Sequence, residues 1–456
     1  MGVIFKNDLF QKKKLLYISL ISLYIALLAD TSIHVLSDII FSFSVSAYGI
    51  ILFVAIGIVF ILAPFIILSH PNFPRNTGIL VEKRFSPHFQ IQFEHLILCV
   101  VMIAIILQIL MFLNYHKVQL MIASAVSYGT ASILMTILAI RLFRWFSISR
   151  NMLTLFFGIS SVLIAINAFV SLIYFEYVIG VEREIDLITP SIEVLFETHF
   201  TAGSSMFYVS LIQLYSMAGY FIVTWAATLL LLIHHAKRLG RVQFGLLVIL
   251  PIFAFIYFYS ILFDAAIPNN PVTQATPLDA WSFWLSYDYA AALIGIVIGI
   301  GFYSVARSVR ENKTARNSLI IAGYGFIFYF ISAFATVIQT GYPPFGLANV
   351  SYVGIASFMI FTGLYNSAVS VSRDAELRNI IRKSVIHQTK FLSSMGLAQL
   401  RQELEKNMIE ISRTKSEELS KSDEIYASIT DSEIKEYVND ILEEVMQSKS
   451  NKKDIG

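Results

Sequence analysis

The chain has 456 residues, of which 56% are hydrophobic and only 14% are charged, and its mean hydropathy is +0.69. Soluble domains carry about a quarter charged residues, so this composition excludes an ordinary soluble enzyme, a disordered chain and a basic nucleic-acid binder. Lys and Arg number 33 against 31 Asp and Glu, so the net charge indicates no class of partner. The single cysteine, Cys99, excludes a disulfide framework and a cysteine-rich metal site. The composition is that of a multi-pass membrane protein.

Ten apolar runs are long enough to cross a bilayer, which takes about 20 mainly apolar residues per helix. The first run follows Lys12, Lys13 and Lys14, and its length predicts a retained signal-anchor helix rather than a cleaved signal peptide. The predicted spans, in chain order, are 15–36, 45–69, 94–114, 119–143, 150–175, 207–235, 242–263, 286–309, 318–338 and 347–372.

The basic residues of the loops predict the orientation of the spans, because lysine and arginine collect on the cytosolic side. With a cytosolic N-terminus, every cytosolic segment is basic, whereas the outer loops carry only Lys117 and Arg183. The outer loops are acidic, through either simple charge exclusion or a funnel for cations. The sequence therefore predicts an all-α, polytopic plasma-membrane protein with both termini in the cytosol. Residues 1–372 form its transmembrane domain, and residues 373–456 form a helical cytosolic tail.

The first span carries two ionisable residues, Asp30 and His34, which share one helix face because they are four apart. Ionisable side chains inside a membrane are costly, so each is a functional candidate. This pair is a candidate ligand or proton site, although two ligands are too few for a metal ion. The alternative is structural, with the carboxylate and the imidazole satisfying each other. Asp264 and Asp288, predicted on the same outer side, complete this candidate site, and Glu176 and His199 also lie on that side.

Other polar and small residues of the spans predict packing rather than chemistry. Ala291, Gly295 and Gly299 place a small residue at every fourth position of the eighth span, a pattern typical of closely packed helices. The partner helix lies either in the same chain or in a second copy, so a homodimer stays open. Glu94 and His95 lie at the predicted inner boundary of the third span. Neutral residues expected to hydrogen-bond between helices are Gln108, Asn167, Gln213, Gln339 and Asn366.

The tail contains two amphipathic stretches. After a basic start that suits anionic headgroups, apolar residues from Leu397 to Ile411 recur at helical spacing beyond a weak point at Gly396. Residues 412–430 are predicted as a linker. A last helix starts at Thr430 and is too short to be stable alone in water. Its apolar stripe therefore packs on the tail itself, on another copy of the chain or on a cytosolic protein. The stripe consists of Ile434, Tyr437, Val438, Ile441, Leu442 and Val445.

Two segments of the tail carry a resemblance to known proteins. Residues 372–378 read SRDAELR, and residues 381–385 read IRKSV. With the short acidic helix at the end, they resemble the tails of uncharacterised multi-pass membrane proteins of ammonia-oxidising archaea. That resemblance implies no activity, cofactor or site residue. The helix leaving the last span is also similar to the membrane-sensor regions of histidine kinases, but His387 lacks a phosphoacceptor motif and no nucleotide-binding domain follows.

The sequence contains no phosphate-binding loop, HExxH motif, CxxC motif or nucleophile elbow. We therefore expect no catalytic residue, cofactor, metal ion or nucleic-acid partner. Two functions remain open. A non-enzymatic sensor or scaffold that passes a signal to the tail is favoured by the sparse buried charge and the long tail. A secondary transporter for a cation or small organic solute is favoured by the number of spans, the acidic outer face, and Asp30 with His34.

Overall fold

The computed structural model describes most of the membrane domain and a short piece of the tail. The described residues are 2–39, 47–69, 87–112, 115–181, 205–233, 244–245, 248–253, 255–256, 277–309, 313–334, 343–373, 395–396 and 398–402. Within these ranges the chain is almost entirely helical and contains no strand. The predicted all-α class is confirmed.

Nine long helices make up the described part of the membrane domain. They are α1 (Gly2–Ile39), α2 (Ala47–Ser69), α3 (Pro87–Phe112), α4 (Lys117–Ser149), α5 (Met152–Val181), α6 (Ser205–Leu232), α7 (Pro277–Ser308), α8 (Lys313–Phe334) and α9 (Leu347–Arg373). Seven of these described helices are long and apolar enough to cross a membrane, and α7 adds a shorter apolar stretch, Ala292–Arg307. The helices lie at nine of the ten predicted spans.

Helices that follow one another in the chain pack side by side in opposite directions. In α5, Ser160 is hydrogen-bonded to Thr224 of α6, whereas Asn167, further along α5, donates to the carbonyl of Gln213, which is earlier in α6. Three further pairs are antiparallel in the same way, since later residues of one helix contact earlier residues of the next. These pairs are α4 with α5, α7 with α8, and α8 with α9. This alternation is what repeated membrane crossing requires.

In contrast, α6 and α7 run in the same direction. At one level of the bundle, both Tyr220 of α6 and Gly295 of α7 contact Phe330 of α8. Further along both helices, Gly301 of α7 lies against Thr228 of α6. The end of α6 and the start of α7 therefore lie at opposite ends of the bundle, which is the arrangement that the predicted span 242–263 requires.

Most of the predicted span 242–263 lies outside the described residues. The pieces that the structure describes, 248–253 and 255–256, are helical. Phe255 stacks on Phe221 of α6 with a distance of 4.4 Å between ring centroids. The count of ten spans stays a prediction, as does the cytosolic position of the two termini.

The centre of the bundle is α9. Every residue from Leu347 to Val369 is buried, because α1, α2, α3, α4 and α8 all pack against this helix. The outer helices instead expose large apolar side chains around the bundle. Examples are Ile21, Phe65, Leu107, Ile133 and Ile222. Exposed apolar surface on this scale is suited to lipid rather than to water.

Glycines allow α7, α8 and α9 to pack closely. Gly295 and Gly299 lie directly against α8, so the predicted small-residue face has a partner within the same chain. On the other side of α8, the α-carbon of Gly363 in α9 lies so near the backbone of Ala322 that a methyl group would overlap it. The side chain of Ala291 lies outside the described part of the chain.

Candidate functional site

The start of α9 is defined by its local sequence. Pro343 and Pro344 cannot continue a helix upstream, and Gly346 has a φ of 90° that other residues adopt only with strain. The carbonyl of Gly346 accepts the first helical hydrogen bond, from the N–H of Val350. Gly346 is therefore the N-cap of α9. Because glycine has no side chain, the first N–H groups of the helix need an acceptor from elsewhere.

Asp30 of α1 supplies that acceptor. Its Oδ1 accepts the N–H of Gly346 at 2.9 Å, and its Oδ2 accepts the N–H of Asn349 at 3.2 Å. An N-cap side chain normally accepts the N–H of the third residue of its own helix. In α9 that residue is Asn349, and the acceptor is Asp30 of a different helix. A carboxylate at this position also faces the positive end of the helix dipole. Asp30 is completely buried, so these contacts replace the water that it has lost.

Asn349 of α9 in turn donates hydrogen bonds from its side chain to acceptors on α1. Its Nδ2 lies 2.8 Å from Oγ1 of Thr31, 2.9 Å from the carbonyl of Leu27 and 3.2 Å from Oδ2 of Asp30. The amide has two hydrogens, so these three acceptors share two donors. We refer to Asp30, Thr31, Asn349 and the backbone of Gly346 as the Asp30 cap. It joins the end of α1 to the start of α9.

The other ionisable residues predicted on the outer side have no described contact with the Asp30 cap. Glu176 instead accepts the hydroxyl of Ser124 in α4 at 3.3 Å. The described partners of Asp30 belong to α9, and its pairing with His34 stays a prediction. Residues whose side chains, or whose positions altogether, lie outside the described part of the chain are His34, His199, Asp264 and Asp288.

A second carboxylate, that of Glu94 on α3, lies against α9 further along. Glu94 is 4% exposed, and its Oε1 fills the space over Gly354, where a methyl group would overlap it. Neither carboxylate oxygen has a hydrogen-bond partner among the described residues. Thr130 of α4 is the polar side chain beside the carboxylate, but it lies outside hydrogen-bonding geometry. The sequence placed Glu94 at the inner boundary of its span, and the apolar part of α3 does begin close by, at Ile91. The burial of the carboxylate against α9 was not predicted.

At this level α4 contacts the backbone of α9 through Ser127. The Ser127 Oγ accepts the N–H of Gly354 at 2.9 Å and donates to the carbonyl of Ser351 at 3.2 Å. A side chain that bonds to the helical ladder in this way is a known cause of local bending. One turn of α9 therefore combines a glycine, an inserted serine and the Glu94 carboxylate.

His95, the neighbour of Glu94, points toward α2. Its Nε2 lies 3.3 Å from the carbonyl of Ile61 and 3.4 Å from Sγ of Cys99. Its ring meets that of Phe60 edge-on at 5.7 Å. Among the described residues, no group of three or more His, Cys, Asp or Glu side chains is arranged to hold a metal ion. The surroundings of Glu94 therefore resemble packed protein interior rather than a metal centre.

Toward the other end of α9, Trp145 of α4 lies between α9 and the tail. Trp145 of α4 is fully buried, and its ring stacks on that of Tyr365 in α9 at 6.2 Å. The Trp145 indole N–H donates to Oε1 of Gln399 at 3.2 Å. Met395 and Ala398 of the tail are also fully buried. We refer to Trp145, Tyr365 and residues 395–402 as the tail contact.

The rest of the tail lies outside the described residues. The first amphipathic stretch is described only at 395–396 and 398–402, where it is helical. The linker at 412–430 is not among the described residues. Neither is the stripe predicted to dock a partner, which consists of Ile434, Tyr437, Val438, Ile441, Leu442 and Val445.

Sequence reasoning missed Asn349, Trp145 and Gln399. A signal for the first was present, because the start of the last span has glycine where a capping side chain is expected. That absence indicates that an acceptor must come from another helix. The contact between Trp145 and Gln399 leaves no local signal, since the two residues are far apart in the chain.

These observations define the class of the protein, a multi-pass α-helical membrane protein. No family model, no curated protein and no solved structure matches the chain. Its function therefore has to be argued from the geometry of its own residues.

Proposed function

We propose that the protein is a non-enzymatic sensor of the plasma membrane, whose bundle receives a membrane or outside signal and whose tail delivers it in the cytosol. The observation that supports this function is the position of α9. This helix is buried from Leu347 to Val369. It begins at the Asp30 cap and leads to the tail contact at Trp145. One helix thus touches both ends of the proposed signalling route.

The packing of α9 suits it to carry a displacement. Asn349 and Tyr365 are about 24 Å apart along the helix axis, at 1.5 Å per residue. Closely packed interiors deform little, so a shift at one end of a helix is passed on rather than absorbed. The turn at 351–354, where Ser127 bonds to the α9 backbone, offers a place where the helix can change its bend.

The proposed receiver is a cytosolic protein that docks on the last predicted helix of the tail. The apolar stripe from Ile434 to Val445 supports this partner, because so short an amphipathic helix needs a surface to pack against. The resemblance of the tail to those of archaeal multi-pass proteins supports a membrane location. The basic cytosolic loops support the orientation.

The tail contact can be tested by measuring a distance in the full chain in lipid nanodiscs. Cys99 is first replaced by alanine, and spin labels are attached through Ile140→Cys on the lipid-facing side of α4 and Gln402→Cys on the tail. Since residues 395–402 pack against the bundle, we expect a single narrow distribution of distances. Trp145→Phe keeps an aromatic ring at this position but removes the indole N–H that donates to Gln399. It should therefore broaden the distribution.

A matched control for Trp145→Phe is Ile133→Ala, because Ile133 is on the same helix with 63% of its surface exposed. This substitution should leave the distribution unchanged. A broad distribution in the chain that carries only the labels would mean that the tail is not packed on the bundle, and it would remove the support for the sensor.

Secondary transport of a cation or small organic solute is a second candidate function. The observation that favours it is the buried Glu94 carboxylate without a hydrogen-bond partner, since ionisable groups inside membranes commonly mark proton or ion pathways. The full chain in liposomes should then admit protons under an imposed potassium diffusion potential, and Glu94→Gln should abolish this influx. Absence of any influx in the unchanged chain would exclude proton-coupled transport.

A further inference from the structure

The depth of Glu94 follows from the helices that it touches. Gly354 is seven residues into α9, or about 10 Å from its start, and Ser127 is ten residues into α4, or about 15 Å from its start. Both helices start at the same end of the bundle, because Ser127 bonds to Gly354 and, further along both helices, Trp145 stacks on Tyr365. The Glu94 carboxyl group therefore lies inside the bundle, about 10–15 Å from the end at which α4 and α9 start.

The described groups around Glu94 offer a negative charge little stabilisation. From α4 it faces Thr130, and from α9 it faces the α-carbon of Gly354. Its own helix contributes His95, which is turned away toward the carbonyl of Ile61 in α2. Within the described residues no charged side chain acts on the carboxyl group, and neither oxygen is hydrogen-bonded. A buried carboxylate without partners is strongly disfavoured relative to its neutral acid.

Asp30 shows the contrast within the same bundle. Its two oxygens accept two backbone N–H groups at the positive end of α9, and these contacts offset part of the cost of burying a charge. Glu94 has no equivalent donors, and the described residues provide no set of metal ligands there. The ligand that this site suits is therefore a proton rather than a metal ion.

We propose that Glu94 is a proton-binding site inside the helix bundle, whose carboxyl group exchanges its proton with water. Binding forms the O–H bond on one carboxylate oxygen with a proton taken from water, and release breaks that bond again. In the packed state described above the proton is bound. When it leaves, the carboxylate requires donors, and the described groups beside it are the Thr130 hydroxyl and the backbone of Gly354. Recruiting the N–H of Gly354 would break its hydrogen bond to Ser127, which joins α4 to α9.

This site can be detected by infrared spectroscopy of the full chain in lipid nanodiscs, over a series of pH values. A protonated carboxyl group has its own C=O stretching band, distinct from the carboxylate bands. We expect such a band at neutral pH that is lost in Glu94→Gln and displaced in Glu94→Asp. The band should also shift after transfer to D₂O, because the proton exchanges. Glu176→Gln is the matched control, since Glu176 is only half-buried and accepts a hydrogen bond from Ser124, and it should leave the band in place.

Two results would overturn the proposal. If the unchanged chain and Glu94→Gln have the same spectrum in the protonated-carboxyl region at every pH, Glu94 is ionised and holds no proton. If the band is present but does not shift in D₂O, Glu94 is an isolated acid and not an exchange site. If Glu94→Gln does not fold, Glu94→Asp provides the test, because it keeps a carboxyl group. An unchanged band in Glu94→Asp would then show that the band does not come from position 94. None of these measurements involves the tail contact, so their failure is distinct from failure of the sensor proposal.

Discussion

Replacing Asp30 by alanine should destabilise the bundle strongly through the start of α9. The substitution removes the acceptor of three hydrogen bonds, from the N–H of Gly346, the N–H of Asn349 and the side chain of Asn349. Hydrogen bonds between membrane helices contribute about 0.6–1.7 kcal/mol each, so the loss of three should lower the free energy of unfolding by about 2–5 kcal/mol. Asp30→Asn retains one acceptor oxygen, and we expect a loss of about 2 kcal/mol.

The measurement is equilibrium unfolding with sodium dodecyl sulfate in mixed micelles, monitored by tryptophan fluorescence. Ser32→Ala is the matched control on the same helix. Ser32 donates only to the carbonyl of Leu28 in its own helix, so its loss should cost less than about 0.5 kcal/mol. Combining Asp30→Ala with Asn349→Ala should give a coupling energy of about 1 kcal/mol, because the two residues share bonds.

The reasoning would be refuted if Asp30→Ala behaved like Ser32→Ala. Such a result would mean that the first N–H groups of α9 find other acceptors when the carboxylate is absent. The Asp30 cap would then be a consequence of packing and not its cause.

Three further predictions concern other helix contacts. Gly363→Ala should destabilise the bundle by about 1–3 kcal/mol because its methyl group overlaps the backbone of α8, whereas Gly129→Ala, with nothing within 4 Å, should be neutral or slightly stabilising in the same unfolding assay. Trp145→Phe should speed hydrogen–deuterium exchange of residues 395–402, measured by mass spectrometry, by about the fivefold that 1 kcal/mol of lost hydrogen bonding implies. Asn167→Ala, which removes a donor to α6, should cost about 1 kcal/mol of unfolding free energy.

The sequence was sufficient to predict where the helices lie in the chain. It was not sufficient to predict which side of each helix packs against protein and which side faces lipid. Apolar length predicted nine of the helices that the structure describes, because the bilayer sets the length of a span. It did not predict that α9 is central or that Glu94 is buried. Lipid and protein interior are equally apolar, so hydrophobic patterning does not distinguish the two sides of a membrane helix as it does in water.

The two carboxylates illustrate what a single sequence leaves open. Asp30 was identified as a candidate because ionisable residues in spans are rare, yet its partner Asn349 is more than 300 residues away in the chain. Only the packing of α1 against α9 brings them together. Glu94 was assigned to the boundary because hydropathy rises after it, and the helix itself already begins at Pro87. Helix ends are set by capping and proline positions as well as by hydropathy.

The central claim is that α9 couples the Asp30 cap to the tail contact. It is tested most directly by the spin-label distance between positions 140 and 402, measured in the full chain with and without Asp30→Asn. The account predicts that Asp30→Asn shifts or broadens this distance distribution, although the substitution lies at the far end of α9, and that Ser32→Ala does not. A distribution unchanged by Asp30→Asn, in an assay where Trp145→Phe broadens it, would contradict the coupling.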